Sequence, residues 1–212
     1  MKGLTALVSL TLCLAAPAVG QTTMATEPDE AGDKWSFSLA ALQYFVPDEQ
    51  PYVQPTLIAD HGWLHLEARY NYEELNTTSA WGGYNFAGGE ELAWEVTPMV
   101  GGVFGDIVGV APGYKGSLSW RKLHLYSEGE YVFDTGGNSD SFLYNWSELT
   151  YSLTDWLRLG IAGQRTRADH ADHDYQPGVT IGVSFKHLDL TAYVFNPTES
   201  KPTVILGATL TF

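Results

Sequence analysis

Cysteine is nearly absent from this sequence. Its single copy, Cys13, sits in an apolar stretch near the N-terminus, so no disulfide framework can brace the fold. Positive charge is also scarce: 11 Lys and Arg stand against 25 Asp and Glu, a formal charge of -14. That balance argues against nucleic acid as a partner, because phosphate binding needs clustered cations. It also disfavours direct electrostatic attachment to anionic lipid. Helical periodicity is missing from Trp35 onward. A chain with neither disulfides nor helices must hold itself together by packing or by a closed network of strand hydrogen bonds.

The first residues read as a leader. Lys2 is followed by an apolar run through Ala16, then by Pro17 and small residues, with Ala18 and Gly20 ahead of a cut before Gln21. This is the pattern of a secretory signal peptide over residues 1–20. The apolar run is short for a membrane helix, and Pro17 breaks it. Leu12 is too bulky before Cys13 for a lipoprotein signal. Cleavage removes the only cysteine and one lysine, moving the net charge one unit further negative. Residues 21–34, QTTMATEPDEAGDK, are polar, acidic and aperiodic, and read as a flexible lead segment.

From Trp35 to Phe212 apolar residues recur with period two, in segments of about ten residues, which is the strand signal. In GWLHLEARYNY, Leu64, Leu66, Ala68, Tyr70 and Tyr72 share one face, while His65, Glu67, Arg69 and Asn71 share the other. KLHLYSEGEYVF sets Leu123, Leu125, Ser127, Gly129, Tyr131 and Phe133 against His124, Tyr126, Glu128, Glu130 and Val132. The C-terminal run sets Val204, Leu206, Ala208, Leu210 and Phe212 against Thr203, Ile205, Gly207, Thr209 and Thr211. The pattern predicts twelve strands, at 35–46, 52–60, 62–72, 79–87, 91–104, 107–119, 122–133, 142–153, 156–166, 177–186, 188–196 and 203–212. Tight connections alternate with mostly longer polar ones such as EELNTTS, DTGGNSDS and TRADHADHDYQ. Short turns at one end and long loops at the other form the layout of a transmembrane barrel.

The aromatic residues sort along the same axis. Trp35, Trp63, Trp94, Trp120 and Trp156 fall at the short-turn end. Phe45, Tyr70, Tyr72, Tyr131, Phe133, Tyr144, Tyr193 and Phe195 fall mostly near the long-loop end. Two belts at the strand ends are what the two interfaces of a bilayer select. A soluble sandwich would place its tryptophans mid-strand. Residues 97–114, TPMVGGVFGDIVGVAPGY, lack clean alternation. They read either as two curved strands joined at Gly105-Asp106 or as a segment folded into the lumen, which would lower the strand count to ten.

The leader, the dyad repeat, the belts and the final GATLTF together resemble bacterial outer-membrane β-barrel proteins. Gly207, Leu210 and the terminal Phe212 look like the assembly signal of that class. The resemblance implies an all-β, antiparallel, up-and-down barrel over residues 35–212 in the outer membrane of a Gram-negative bacterium. It also implies contact with outer-membrane lipid and lipopolysaccharide, with periplasmic chaperones and with the barrel-assembly machinery. The motif specifies a destination and leaves the activity open.

In such a barrel the polar face of each strand lines the lumen. The inward acids are then Glu67, Glu95, Glu128, Glu130, Glu148 and Asp189; the inward bases are Arg69, Lys115, Arg121, Arg158 and Lys186; His65 and His124 join them. Near balance favours ion pairs that brace the interior, or a weakly selective pore, since a selective one shows an excess of one sign. Asp169, His170, Asp172, His173 and Asp174 could gather a divalent cation, but their spacing fits no closed metal motif and a solvated acidic loop is the simpler reading. No cofactor is called for. The expected role is a narrow channel for small solutes or a structural surface barrel. The rival is an enzyme acting on envelope lipid, drawing on His65, His124, Ser127 and Ser147, although spacing alone assembles no triad.

Overall fold

The structure, a computed structural model, describes residues 34–137, 140–168 and 174–212. The leader and most of the lead segment lie outside the described residues. So do Asp169, His170, Asp172 and His173 of the polar loop.

Among the described residues, thirteen antiparallel strands form one sheet: β1 (Trp35–Phe45), β2 (Tyr52–His61), β3 (Leu64–Tyr70), β4 (Thr78–Tyr84), β5 (Phe86–Gly88), β6 (Leu92–Phe104), β7 (Gly109–Trp120), β8 (Leu123–Asp134), β9 (Phe142–Ser152), β10 (Leu157–Ala168), β11 (Asp174–Phe185), β12 (Leu188–Phe195) and β13 (Thr203–Thr211). Sequential strands pair, β1 pairs with β13, and β4 pairs with β6, so the sheet closes on itself. Twelve strands make the wall, and β5 is an extra short piece. It continues the register of β4 on β6: Gly83 faces Met99 and Phe86 faces Val96. The break falls opposite Pro98, whose carbonyl points toward β4. A residue's N–H and C=O share one side in an antiparallel ladder, so proline's missing donor is missing on that side. The expected strand at 79–87 is therefore two pieces of one line.

Residues 97–114 run as parts of β6 and β7 joined by a tight connection, not as a segment inside the lumen. Their glycines have a purpose visible at Gly101. A Cβ there would come within 2.4 Å of the Trp81 ring. The bare backbone leaves the space that this indole occupies inside the barrel. At the β5–β6 turn, Gly89 has φ +86°, where a side chain would also meet the Leu92 carbonyl.

Alternation decides the two surfaces. Leu39, Leu57, Leu66, Val100, Leu125, Ile161, Ile181, Leu190 and Leu206 are all exposed on the outer wall. A continuous apolar band around every strand is a surface for lipid tails, since soluble monomers expose only limited patches. The five tryptophans of the expected short-turn belt, Trp35, Trp63, Trp94, Trp120 and Trp156, are exposed at that end. Phe212 joins them. Its backbone exchanges hydrogen bonds with Phe37 at 2.8 and 2.9 Å, and the two rings stack at 5.8 Å.

The long-loop belt needs correction. Phe45, Tyr70 and Phe133 face outward, but Tyr72, Tyr144, Tyr193 and Phe195 turn into the barrel. Tyr193 and Phe195 pack with Tyr44, Trp146, Ala162 and Ile205, and Tyr144 leans on the same group. A second interior group joins Trp81, Met99, Val103, Ile107, Val132 and Phe142. These side chains pack the long-loop half of the interior. β3 also ends at Tyr70 instead of running to Tyr72. Asn71 adopts φ +57° and its Oδ1 accepts from the Asn76 N–H, which turns the chain out of the strand.

Candidate functional site

The polar residues of the interior gather below the aromatic packing. β3 sends His65, Glu67 and Arg69 inward at successive dyad positions, and all three are buried. Arg69 is their hub. Its Nε donates to Glu67 at 2.7 Å and its Nη1 to Glu130 on β8 at 2.7 Å. Glu73 lies 3.8 Å from the same nitrogen. The guanidinium is sandwiched between the Tyr72 and Trp81 rings, 4.1 and 4.5 Å from their centroids. Lys115 on β7 reaches Glu67 at 2.5 Å and stands 3.9 Å from Glu128. Glu128 also accepts from the Tyr72 hydroxyl at 2.5 Å and the Tyr126 hydroxyl at 2.6 Å.

A second brace lies across β10 and β12. Arg158 grips Asp189 with two 2.6 Å hydrogen bonds, and Ser184 and Thr191 donate to the same carboxylate. The two-pronged match of guanidinium to carboxylate fixes direction as well as distance. Glu148 accepts from the Tyr193 hydroxyl at 3.2 Å, tying the polar zone to the packed aromatics above it.

Below these braces a cavity of about 380 Å³ is lined by Asp60, His65, Glu95, Lys115, His124 and Asp189, among others. It lies toward the short-turn end. His65 bridges Asp60 and Glu67 at 2.8 and 3.1 Å, and His124 meets Ser119 at 2.8 Å.

One of the expected lumen cations stands elsewhere, and a second sits only at the cavity mouth. Arg121 is the first residue of the β7–β8 turn, with φ +54°. That conformation swings its side chain off the inward face. It packs over the Trp120 ring and meets Glu91 at 3.6 Å, both partners well exposed. Lys186 occupies the equivalent place before β12, with φ +53°, at the cavity mouth near the Phe185 ring. Asp60, on the inward dyad of β2 with Gln54, and the loop residue Glu73 add inward carboxylates beyond the expected ones. Among the described residues the interior is therefore acidic, not balanced: Asp60, Glu67, Glu73, Glu95, Glu128, Glu130, Glu148 and Asp189 outnumber Arg69, Lys115, Arg158 and Lys186.

Tyr72 and Glu73 are the residues that sequence reasoning missed as members of this site. Both belong to the β3–β4 connection, which dips into the barrel. Ser79 donates to Glu73 at 2.5 Å, and the Trp81 indole donates to Ser79 at 2.9 Å. Burial pushes the Glu73 carboxyl above the usual carboxylate range, with Arg69 and Ser79 pulling in the opposite direction. The available signal was Asn71, a residue that tolerates the left-handed turn ending a strand.

The serines and histidines offered for lipid chemistry are separated by the wall itself. Ser127 and Ser147 bond each other on the outer face at 2.9 Å, beside Tyr114 and Asn145. His65 and His124 face the lumen. No triad forms across two sides of a sheet. Among the described residues no group of three or more His, Cys, Asp or Glu is placed to hold a metal ion. Asp174 is described only as the first residue of β11.

No family model matches the sequence, and no curated protein matches it. Solved structures do. The KdgM porin aligns with a TM-score of 0.56 at 11% identity, over 82% of this chain and 99% of that one. The KdgM porin in complex with disordered oligogalacturonate aligns with a TM-score of 0.55 at 11% identity, over 84% and 99%. The fold is that of bacterial outer-membrane β-barrels. At this identity the likeness concerns the fold, and the lumen must be read from its own residues.

Proposed function

We propose that this protein is a narrow outer-membrane channel for small solutes, and that it favours cations. The observation that carries the reading is the acidic interior above a cavity of about 380 Å³ at the short-turn end, which is the periplasmic end of such barrels. Rings of Asp and Glu raise the local concentration of cations and repel anions. Twelve strands enclose less space than the sixteen or more of wide porins, and the aromatic packing narrows the long-loop half further. The KdgM porin structure with oligogalacturonate shows that this fold can host an acidic sugar chain. Such a polyanion suits this chain poorly, because Arg69, Lys115 and Arg158 are all engaged by carboxylates.

The test is single-channel recording in planar bilayers across a potassium chloride gradient. The expected result is small unitary current with a reversal potential displaced toward the potassium equilibrium value. Absence of current under any voltage would remove the channel reading, and displacement toward chloride would remove its selectivity.

A further inference from the structure

The polar zone contains two carboxylate oxygens that no hydrogen-bond donor reaches: Oε2 of Glu73 and Oε1 of Glu130. Their side chains are 0% and 2% exposed. Every neighbouring carboxylate is better served. Glu67 has Arg69, Lys115 and His65, and Glu128 has two tyrosine hydroxyls. Glu73 and Glu130 instead share one nitrogen, Arg69 Nη1, at 3.8 and 2.7 Å. That guanidinium already serves Glu67.

The charges do not close either. Arg69, Lys115 and His65 face Glu67, Glu73, Glu128 and Glu130 among groups almost wholly out of bulk water, so that once all four carboxyls are ionised negative charge is in excess. A buried carboxyl without a donor is neutralised either by a proton or, above neutral pH, by a cation. Bridging water could donate to the open oxygens but would bring no charge. A small hard cation supplies both a positive centre and a partner for carboxylate oxygen. The donor set is all oxygen, with no thiolate or thioether, which disfavours soft metals.

We propose that Glu73 and Glu130 form a binding station for a small hard cation, held by two carboxylates and completed by water. One or two protein carboxylates with retained waters is how Mg²⁺ is commonly bound. The proposal rests on the channel reading for the ion's route, from the cavity past Lys115, whose Nζ touches Glu67 beside the station. Trp81 is a built-in reporter, because its indole is linked through Ser79 to Glu73 and its ring lies against Arg69.

The experiment is a titration of the full-length, detergent-refolded barrel with MgCl₂ and with NaCl above neutral pH. Ionic strength is held constant with choline chloride, whose cation is too bulky for two buried carboxylates. Tryptophan emission and the thermal unfolding midpoint are read together. The expected result is a saturable response to Mg²⁺ or Na⁺ that choline does not give. Glu73→Gln and Glu130→Gln, each checked for folding by heat-modifiable gel mobility, should weaken the apparent affinity about tenfold or more. A wild-type barrel that responds to all three salts alike overturns the proposal, whichever variants fold. A response that both glutamine variants retain unchanged also overturns it. Saturable binding without bilayer current would leave the station standing and sink the channel. Current without saturable binding would do the reverse.

Discussion

Arg69 shows what one residue does in this interior. It cross-links β3 to β8, cancels part of a cluster of buried acids, and carries two aromatic rings on its faces. Arg69→Met keeps much of the volume but leaves Glu67 and Glu130 without their shared cation. Removing one partner of a buried pair costs about 3–5 kcal/mol, and the expected outcome is that much loss in urea unfolding of the refolded barrel. Adding Glu130→Gln should return part of it, because the second change removes an orphaned charge. His65, Glu67 and Arg69 were legible as inward residues because strict alternation is the strongest signal a strand carries. Arg121 and Lys186 were not, because they are turn residues. Counting by twos places them inward, while a left-handed backbone turns Arg121 onto Trp120 and Glu91 and leaves Lys186 only at the cavity mouth.

At the scale of elements, the decisive piece is the β3–β4 connection, residues 71–77. It brings Tyr72 and Glu73 into the lumen, where Tyr72 meets Glu128 and stands edge-on to Tyr144 at 5.5 Å. Replacing Tyr72 to Leu75 with a Gly-Ser stretch of equal length should widen the bore. The expected outcome is a larger unitary conductance in planar bilayers with the strand content unchanged by circular dichroism. An unchanged conductance would show that the Trp81 and Trp146 packing, not this loop, sets the constriction. The sequence marked residues 73–77 as polar and placed them in a long loop, with Asn71 and Tyr72 still in the strand before it. It could not say that the loop turns inward, since a loop's direction depends on partners contributed by β4, β8 and β9. The same limit explains Tyr144, Tyr193 and Phe195. An aromatic near a strand end fits an interfacial belt or a lumen plug equally well until its face is fixed by register.

The whole molecule was the most legible level. Period-two segments, alternating turn lengths and sorted tryptophans are each weak alone, but a membrane barrel requires all of them together. The strand bounds from pattern differ from the observed ones mainly where a special residue intervenes, as Asn71 does after β3 and Pro98 does opposite the β4–β5 break. At this scale the prediction concerns Phe212. Replacing it with Asp puts a charge among the short-turn aromatics and removes the stack on Phe37. The expected outcome is normal export across the inner membrane followed by failed assembly, seen as variant protein degraded or retained in the periplasm by cell fractionation. Normal outer-membrane levels of Phe212→Asp would show that Gly207, Leu210 and Phe212 do not serve as an assembly signal.

The pairing of β1 with β13 has a consequence in time. Each of the other wall strands can zip onto its sequence neighbour through a local hairpin or loop. This one pairing joins Ser38 to Thr211 and Phe45 to Val204, residues separated by nearly the whole barrel. Closure is therefore the contact of highest sequence separation and the slowest to be won by diffusion. Until it forms, the growing sheet presents two bare edges, each able to recruit a strand from another molecule. Whatever escorts this chain must shield those edges, and the final act of folding is a single seam closing along β1.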